Sequence, residues 1–294
     1  MVADAVAAPS GRFDPDGNCP GEVALARGGM TANTLAVAAA MGADARGVFT
    51  VGTDRLGTWM AEELRGEGVT VAALAVTETP MSVVLAASGR RGLIGDSKSG
   101  HREYDQHPDD VAAAWATLSV SGIDWAVVTA RAFASPAGRA FARLARNNGA
   151  TLVVNMGTVD PIAALDTAGH SGYLVAVGNA AEWDRFVGSG VTMPHLAVVT
   201  NGPDPTVVYR HGRRCMSVDV PQVDQVCDTT GAGDAFIGGL LTALDPSSVL
   251  DDAAVRTAIA TGHAAAGVII AQLGAAVGQA PPTRDELRRI AVAT

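Results

Sequence analysis

The chain has 294 residues but only one lysine, Lys98, and three cysteines, Cys19, Cys215 and Cys227. Lys98 does not lie in G-x-x-x-x-G-K-[S/T], so no P-loop of that form exists here. The cysteines are widely separated, with no C-x-x-C and no His/Cys group at metal-ligand spacing, which predicts inert thiols in a reducing compartment. Positive charge is scarce as well: 21 basic against 30 acidic residues give a net charge of −9, which argues against a nucleic-acid partner. The N-terminus lacks a basic segment followed by an apolar one. The longest apolar run, near Ala264 to Ala271, is too short to span a bilayer. A cytoplasmic location with no membrane partner is the expectation. With 48% hydrophobic and 17% charged residues, the chain is predicted to form one globular domain over residues 1–294.

Against these absences stands Asp228-Thr229-Thr230-Gly231-Ala232-Gly233-Asp234, followed at once by the apolar run Ala235 to Leu241. Hydroxyl and acidic residues, then glycines, then a helical pattern describe a loop turning into a helix N-terminus. The first-turn N–H groups of such a helix have no carbonyl partner within it, and glycine lets the backbone close on an anion. An aspartate at that point suits a base that deprotonates an alcohol attacking a phosphoryl group. The same residues also read as an ordinary N-cap with a dipole-stabilised acid. Gly231 to Phe236 does not complete G-x-G-x-x-G, because Phe236 takes the last glycine's place, so a dinucleotide fold is weakly supported.

Along the chain, Met1 to Arg27 reads as loop with two short strands, near Val2 to Val6 and Val23 to Leu25. Gly28-Gly29 opens an alanine-rich helix that Gly42 closes. A helix from Thr58 to Gly66 leads to strand material at Val69 to Val71, and alternating runs at Met81 to Ala87 and Gly92 to Ile94 suggest a hairpin. From Ile123 the order is regular. Strand Trp125 to Thr129, a helix entered at Ser135-Pro136 and closed at Asn147-Asn148-Gly149, and strand Thr151 to Asn155 alternate as a doubly wound parallel sheet requires. The strand Tyr173 to Val177 ends at Asn179-Ala180-Ala181-Glu182, which reads as a capped helix start or as an amide and a carboxylate facing one ligand. Strands at Leu196 to Thr200, Thr206 to Tyr209 and Arg214 to Val218 follow. Ala253 to Ala271 is predicted to be a long helix on which His263 reads as a core histidine. Thr283-Arg284-Asp285-Glu286 is a capping box.

The seven-residue string resembles the C-terminal signature of the ribokinase-like (PfkB) carbohydrate kinases, and Gly28-Gly29 with Asn33, followed by Val51-Gly52-Thr53-Asp54-Arg55-Leu56-Gly57, resembles their N-terminal one. The resemblance implies an α/β fold with a doubly wound, mostly parallel sheet between helices and a small β-lid from segments at about 5–27 and 69–100. It implies an ATP-dependent kinase acting on a sugar or related alcohol, with Asp234 as catalytic base and the amides of Gly231, Ala232 and Gly233 as anion hole. Substrate contacts fall on Asp4, Gly28, Gly29 and Asn33. Asn179 and Glu182 match the motif governing phosphate and magnesium, with Glu182 acting on the metal through water. Thr200 and Gly202 match the nucleotide-site T-x-G, although Pro205 replaces that motif's last glycine, and His263-Ala264-Ala265-Ala266 matches a run near adenine. Asp228 and Thr230 match potassium-site positions, although Gln272 and Gly278 replace an arginine and a serine there. Asp54 and Gly57 are expected to be structural, and a homodimer through the lid is a further implication.

Two departures matter. Relatives begin with a strand carrying G-[D/S/E]-x-x-x-D, whereas only Met1-Val2-Ala3-Asp4 precedes the first lid segment here, so the sheet's first strand is expected to be missing. This predicts an internal start within a longer reading frame, or a truncated paralogue. Ala134 stands before Ser135-Pro136 where ribokinases carry a sugar-binding glutamate, which makes ribose the less favoured acceptor. A nucleoside or vitamin kinase of the same fold, and a non-catalytic sugar- or nucleotide-binding relative, are the alternatives.

Overall fold

Apolar residues alternate along most strands and recur at helical spacing between them. The computed structural model describes residues 1–9, 18, 20–87, 90–95, 106–157, 174–188, 193–223 and 225–271. Its first part runs β1 (Val2–Pro9), β2 (Gly21–Gly28), α1 (Met30–Ala40), β3 (Arg46–Gly52), α2 (Arg55–Gly66), β4 (Thr70–Val76), β5 (Met81–Ala87), β6 (Arg90–Gly95) and α3 (Pro108–Thr117). The second runs β7 (Trp125–Thr129), α4 (Ala130–Ala134), α5 (Pro136–Asn147), β8 (Thr151–Asn155), β9 (Leu174–Asn179), α6 (Ala180–Gly188), β10 (Leu196–Asn201), β11 (Asp204–Arg210), β12 (Arg213–Val218), α7 (Ala232–Ala243) and α8 (Asp252–Ile270).

The main sheet has six strands in the order β12-β11-β10-β9-β8-β7, parallel from β7 to β10 and antiparallel beyond. Successive side chains leave opposite faces of a strand, so β8 sends Leu152 and Val154 to one layer and Val153 to the other. The first layer packs Phe133, Ala142, Trp183 and Phe186 of α4, α5 and α6. The second packs Phe236, Ile237 and Leu240 of α7 with Val255 and Ile259 of α8. This is the doubly wound arrangement expected from the alternating pattern. A separate parallel pair, β3 with β4, carries Phe49 and Val51 against α1 and α2, and Ala72 and Leu74 against α3. Among the described residues these two parallel blocks are not paired in one sheet.

The lid is a four-stranded sheet in the order β2-β1-β5-β6. Both N-terminal strands are longer than the sequence indicates, because pairing of β1 with β2 and with β5 stabilises an alanine-rich run of weak intrinsic preference. The second lid segment starts at Met81 rather than near residue 69. Thr70–Val76 instead joins the body, since its backbone pairs in parallel register with Arg46–Gly52. Asp54 caps α2 and binds the hydroxyl and N–H of Thr79, and a Cβ at Gly57 would collide with the Gly52 carbonyl, so both residues are structural as expected.

Helix α7 is gripped from both sides. A Cβ at Gly238 would lie 2.7 Å from the Thr34 carbonyl of α1, and one at Gly239 would lie 2.9 Å from the Thr261 carbonyl of α8. At 19 residues α8 is long and apolar enough to cross a membrane, contrary to the expectation drawn from Ala264 to Ala271. In the fold it is a core helix, with Val255, Ala258, Ile259, Ala265 and Ile269 buried. Cys19, Lys98, Gln272, Gly278 and the capping box at Thr283 lie outside the described residues.

Candidate active site

Open parallel sheets bind ligands at the carboxyl ends of their strands. Here those ends carry Asn155 on β8, Asn179 on β9 and Thr200 on β10, and Thr200 pairs in register with Asn179. The Asp228 loop rises to the N-terminus of α7. The N–H and hydroxyl of Thr230 both donate to the buried Asp228 Oδ1, at 2.9 and 2.7 Å, which closes the turn from within. Gly231 then takes φ 76°, a left-handed conformation open to glycine, and serves as N-cap with no side-chain partner. Among the described residues, a Cβ at Gly233 would meet nothing within 4 Å, so the first turn is open at that point. One expected donor is engaged: the Ala232 N–H donates to the Thr229 carbonyl at 3.3 Å.

Asp234 follows on the buried side of that turn. Its Oδ2 accepts from Asn33 Nδ2 at 3.0 Å, and its Oδ1 faces Asn155 Nδ2 at 3.5 Å. Asn33 in turn accepts from Arg27 Nη1 at 3.2 Å through Oδ1, and Arg27 Nη2 pairs with Glu67 Oε2 at 2.7 Å. Burial lowers the Arg27 pKa, opposed by Glu67, Glu63 and Asp234; burial raises that of Glu67, opposed by Arg27. Arg27, Glu67 and Asn155 were not among the sequence-derived candidates. The only local signals are a charge directly after the apolar run Val23 to Ala26 and an amide ending Leu152 to Val154.

On the lid, Asp4 accepts from the Ser82 hydroxyl and lies so close to Gly28 that a Cβ there would collide with its carboxylate. Gly29, at φ 113°, caps α1 and so sets Asn33 one turn on. Asn179 and Glu182 are joined, each backbone N–H donating to the other's side chain at 2.9 and 3.0 Å. This is a capping box, the structural alternative that the sequence left open. Thr200 donates to the Gly178 carbonyl at 3.3 Å, and Gly202, at φ 60°, sits in the tight turn between β10 and β11. His263 faces Thr206, with Nε2 at 2.8 Å from its hydroxyl, and rests on the Phe236 ring. Burial lowers the His263 pKa, opposed by the Asp219 backbone. Its contacts are those of a core residue. Among the described residues, no three His, Cys, Asp or Glu side chains are grouped to hold a metal.

A doubly wound sheet under a β-lid, with a glycine turn and an acid at a helix N-terminus, defines the ribokinase-like kinase fold. The chain belongs to the pfkB family of carbohydrate kinases, whose family model matches residues 1–282. It is 24% identical over 289 residues to the ribokinase of Haemophilus influenzae, covering 89% of this chain and 86% of that one. It is 39% identical over 85 residues to an adenosine kinase of Schizophyllum commune; that match spans 28% of this chain and only 23% of the relative's length. Among solved structures, ribokinase from Giardia lamblia superposes with a TM-score of 0.76 at 17% identity, covering 99% of this chain and 97% of that one. Aminoimidazole riboside kinase from Salmonella enterica, complexed with its riboside and an ATP analog, gives 0.71 at 18% identity, with 98% of each chain covered. At these identities the two structures speak for the fold.

Proposed function

We propose that the chain is an ATP-dependent kinase phosphorylating a hydroxyl of a sugar or sugar-like small molecule, with Asp234 as base. The observation that carries this reading is the position of Asp234, within the first turn of α7 and bonded to Asn33 at 3.0 Å. The acceptor hydroxyl gives its proton to Asp234 as its oxygen bonds to the γ-phosphorus. The bond from that phosphorus to the β,γ-bridging oxygen breaks, and ADP leaves. The N–H groups of Gly231 and Gly233 hold the moving phosphoryl group, with Ala232 shaping the turn, while Asp4, Gly28, Gly29 and Asn33 orient the acceptor.

Nucleotide contacts are assigned to Asn179, Thr200 and Gly202, while His263, held by Thr206 and Phe236, supports them from the core. Magnesium, which neutralises phosphate charge in such reactions, suits a site with a single carboxylate, because phosphates and waters supply most of its ligands. Glu182 is that carboxylate. Asp228 and Thr230 are the residues for potassium, since the Thr230 hydroxyl spends its proton on Asp228 and keeps its lone pairs for a cation. A homodimer through the lid is supported by an outward apolar row in register, Leu25, Ala5, Val83 and Ile94, in which Ile94 is 74% exposed.

A nucleoside acceptor is the second reading, favoured by Ala134 in place of a sugar-binding carboxylate and by the similarity to an adenosine kinase. An ATP-consumption screen over pentoses, hexoses, keto-deoxy acids and nucleosides, with Asp234→Asn as control, tests both. Turnover with one acceptor class that the variant loses is the expected result. Calorimetric ligand binding with no turnover across the panel would favour the non-catalytic alternative.

A further inference from the structure

The pair of buried Arg27 and half-buried Glu67 touches neither the open turn of α7 nor the strand ends, yet it reaches Asp234 through a single side chain. Arg27 is 2% exposed, and its Nε is buried without a hydrogen-bond partner. A buried ion pair is a poor stability device: desolvation cancels much of the attraction, and apolar residues of similar size often serve as well or better. An unmet guanidinium nitrogen adds to that cost.

Its geometry serves another end. Asn33 has one amide, with its oxygen toward Arg27 Nη1 at 3.2 Å and its nitrogen toward Asp234 Oδ2 at 3.0 Å. Turning the amide over would set its NH2 against a guanidinium that only donates, and its oxygen against a carboxylate that only accepts. Both bonds would become repulsions. Glu67 fixes the guanidinium from the far side at 2.7 Å. Arg27 thus selects the amide orientation in which Asn33 donates to Asp234, and holds that carboxylate as an acceptor at a set angle.

We propose that Arg27, braced by Glu67, is a positioning residue for the base, acting through Asn33. The inference rests on the reading of Asp234 given above. Because β2 is a lid strand, it also ties the root of the lid to the reaction centre.

The test uses Arg27→Met combined with Glu67→Gln, so that neither charge is stranded, and Arg27→Lys, which keeps a charge beside Glu67 but not the two-pronged fork. With the acceptor found in the screen, both are expected to lower kcat about 10-fold or more at unchanged KM for ATP. In an Asn33→Ala background the same changes are expected to add less than about twofold, because the path through Asn33 is already cut. If Asp234→Asn is inactive while the Arg27 variants keep wild-type kcat, or if their loss is equal in both backgrounds, the positioning role fails and the kinase reading stands. Should no acceptor turn over, the side-chain amide resonances of Asn33, assigned by Asn33→Ala, decide the matter. They are expected to shift and lose exchange protection in Arg27→Met/Glu67→Gln, and unmoved resonances would overturn the proposal.

Discussion

Asn33 and Asp234 stand 201 positions apart in the chain and are joined by a 3.0 Å hydrogen bond from the amide nitrogen to the carboxylate. Asp234→Asn would set two amides face to face and remove the proton acceptor. Turnover is expected to fall by roughly 10²–10⁴, with ATP affinity by calorimetry changed less than a few fold. Near-normal turnover would remove Asp234 from its role.

Gly28→Ala would drive a methyl group into the Asp4 carboxylate. Asp4 is then displaced from the acceptor side while the α7 turn is untouched. Initial-rate kinetics should show an acceptor KM raised about 10-fold or more with the KM for ATP near its original value. A change confined to ATP would contradict the assignment of Asp4 and Gly28.

Glu182 carries two proposed duties that one substitution separates. Glu182→Gln retains an oxygen for the Asn179 N–H, so α6 keeps its cap, but loses the charge. Melting temperature should hold while the magnesium needed for half-maximal rate rises about 10-fold. Glu182→Ala should also cost about 1 kcal/mol of stability. An unchanged magnesium response in both variants would leave only the capping role.

Gly239→Ala would place a methyl group 2.9 Å from the Ala265 Cβ and the Thr261 carbonyl. Overpacking of this kind costs about 1–3 kcal/mol, so thermal unfolding should begin several degrees lower. A melting temperature equal to wild type would mean that the α7–α8 contact relaxes around the methyl group at no net cost.

Burial works against the Asp54 charge, but the Thr79 hydroxyl and the amides of Gly57, Thr79 and Leu56 outweigh it and hold the carboxyl below its usual value. A lowered native pKa gives stability that is present at neutral pH and lost as pH falls through that native value. Asp54→Asn should therefore melt below wild type at about pH 7, and the gap should narrow below the usual carboxylate value of about 4. A constant gap from neutral to acid would show that the charge contributes nothing.

The parts of the site that could be read from sequence are those whose geometry is set by neighbours in the chain. Asp228 to Asp234 closes its own turn, and Ser135-Pro136 caps its own helix, with Gly138 N–H donating to Ser135 Oγ at 3.0 Å. Strands β7 and β8 were legible for a similar reason: apolar runs bounded by turn residues end where the pattern ends. Arg27 with Glu67 and Asn155 with Asp234 meet across 40 and 79 positions, and no periodicity records such meetings. Thr70–Val76 shows the same limit in a strand. Its residue types indicate extended chain, but only the pairing with β3 decides that it belongs to the body.

The clasp of Gly238 and Gly239 between Thr34 and Thr261 leaves no room for a side chain on either flank of α7. The cover that carries Asp4 is joined to the body through the Gly28–Gly29 corner and the Arg27 tether. On the proposed reading, Asp4 and Asp234 thus stand on two separately built parts, and a change at the corner or the tether is expected to disturb acceptor alignment while the α7 turn keeps its form.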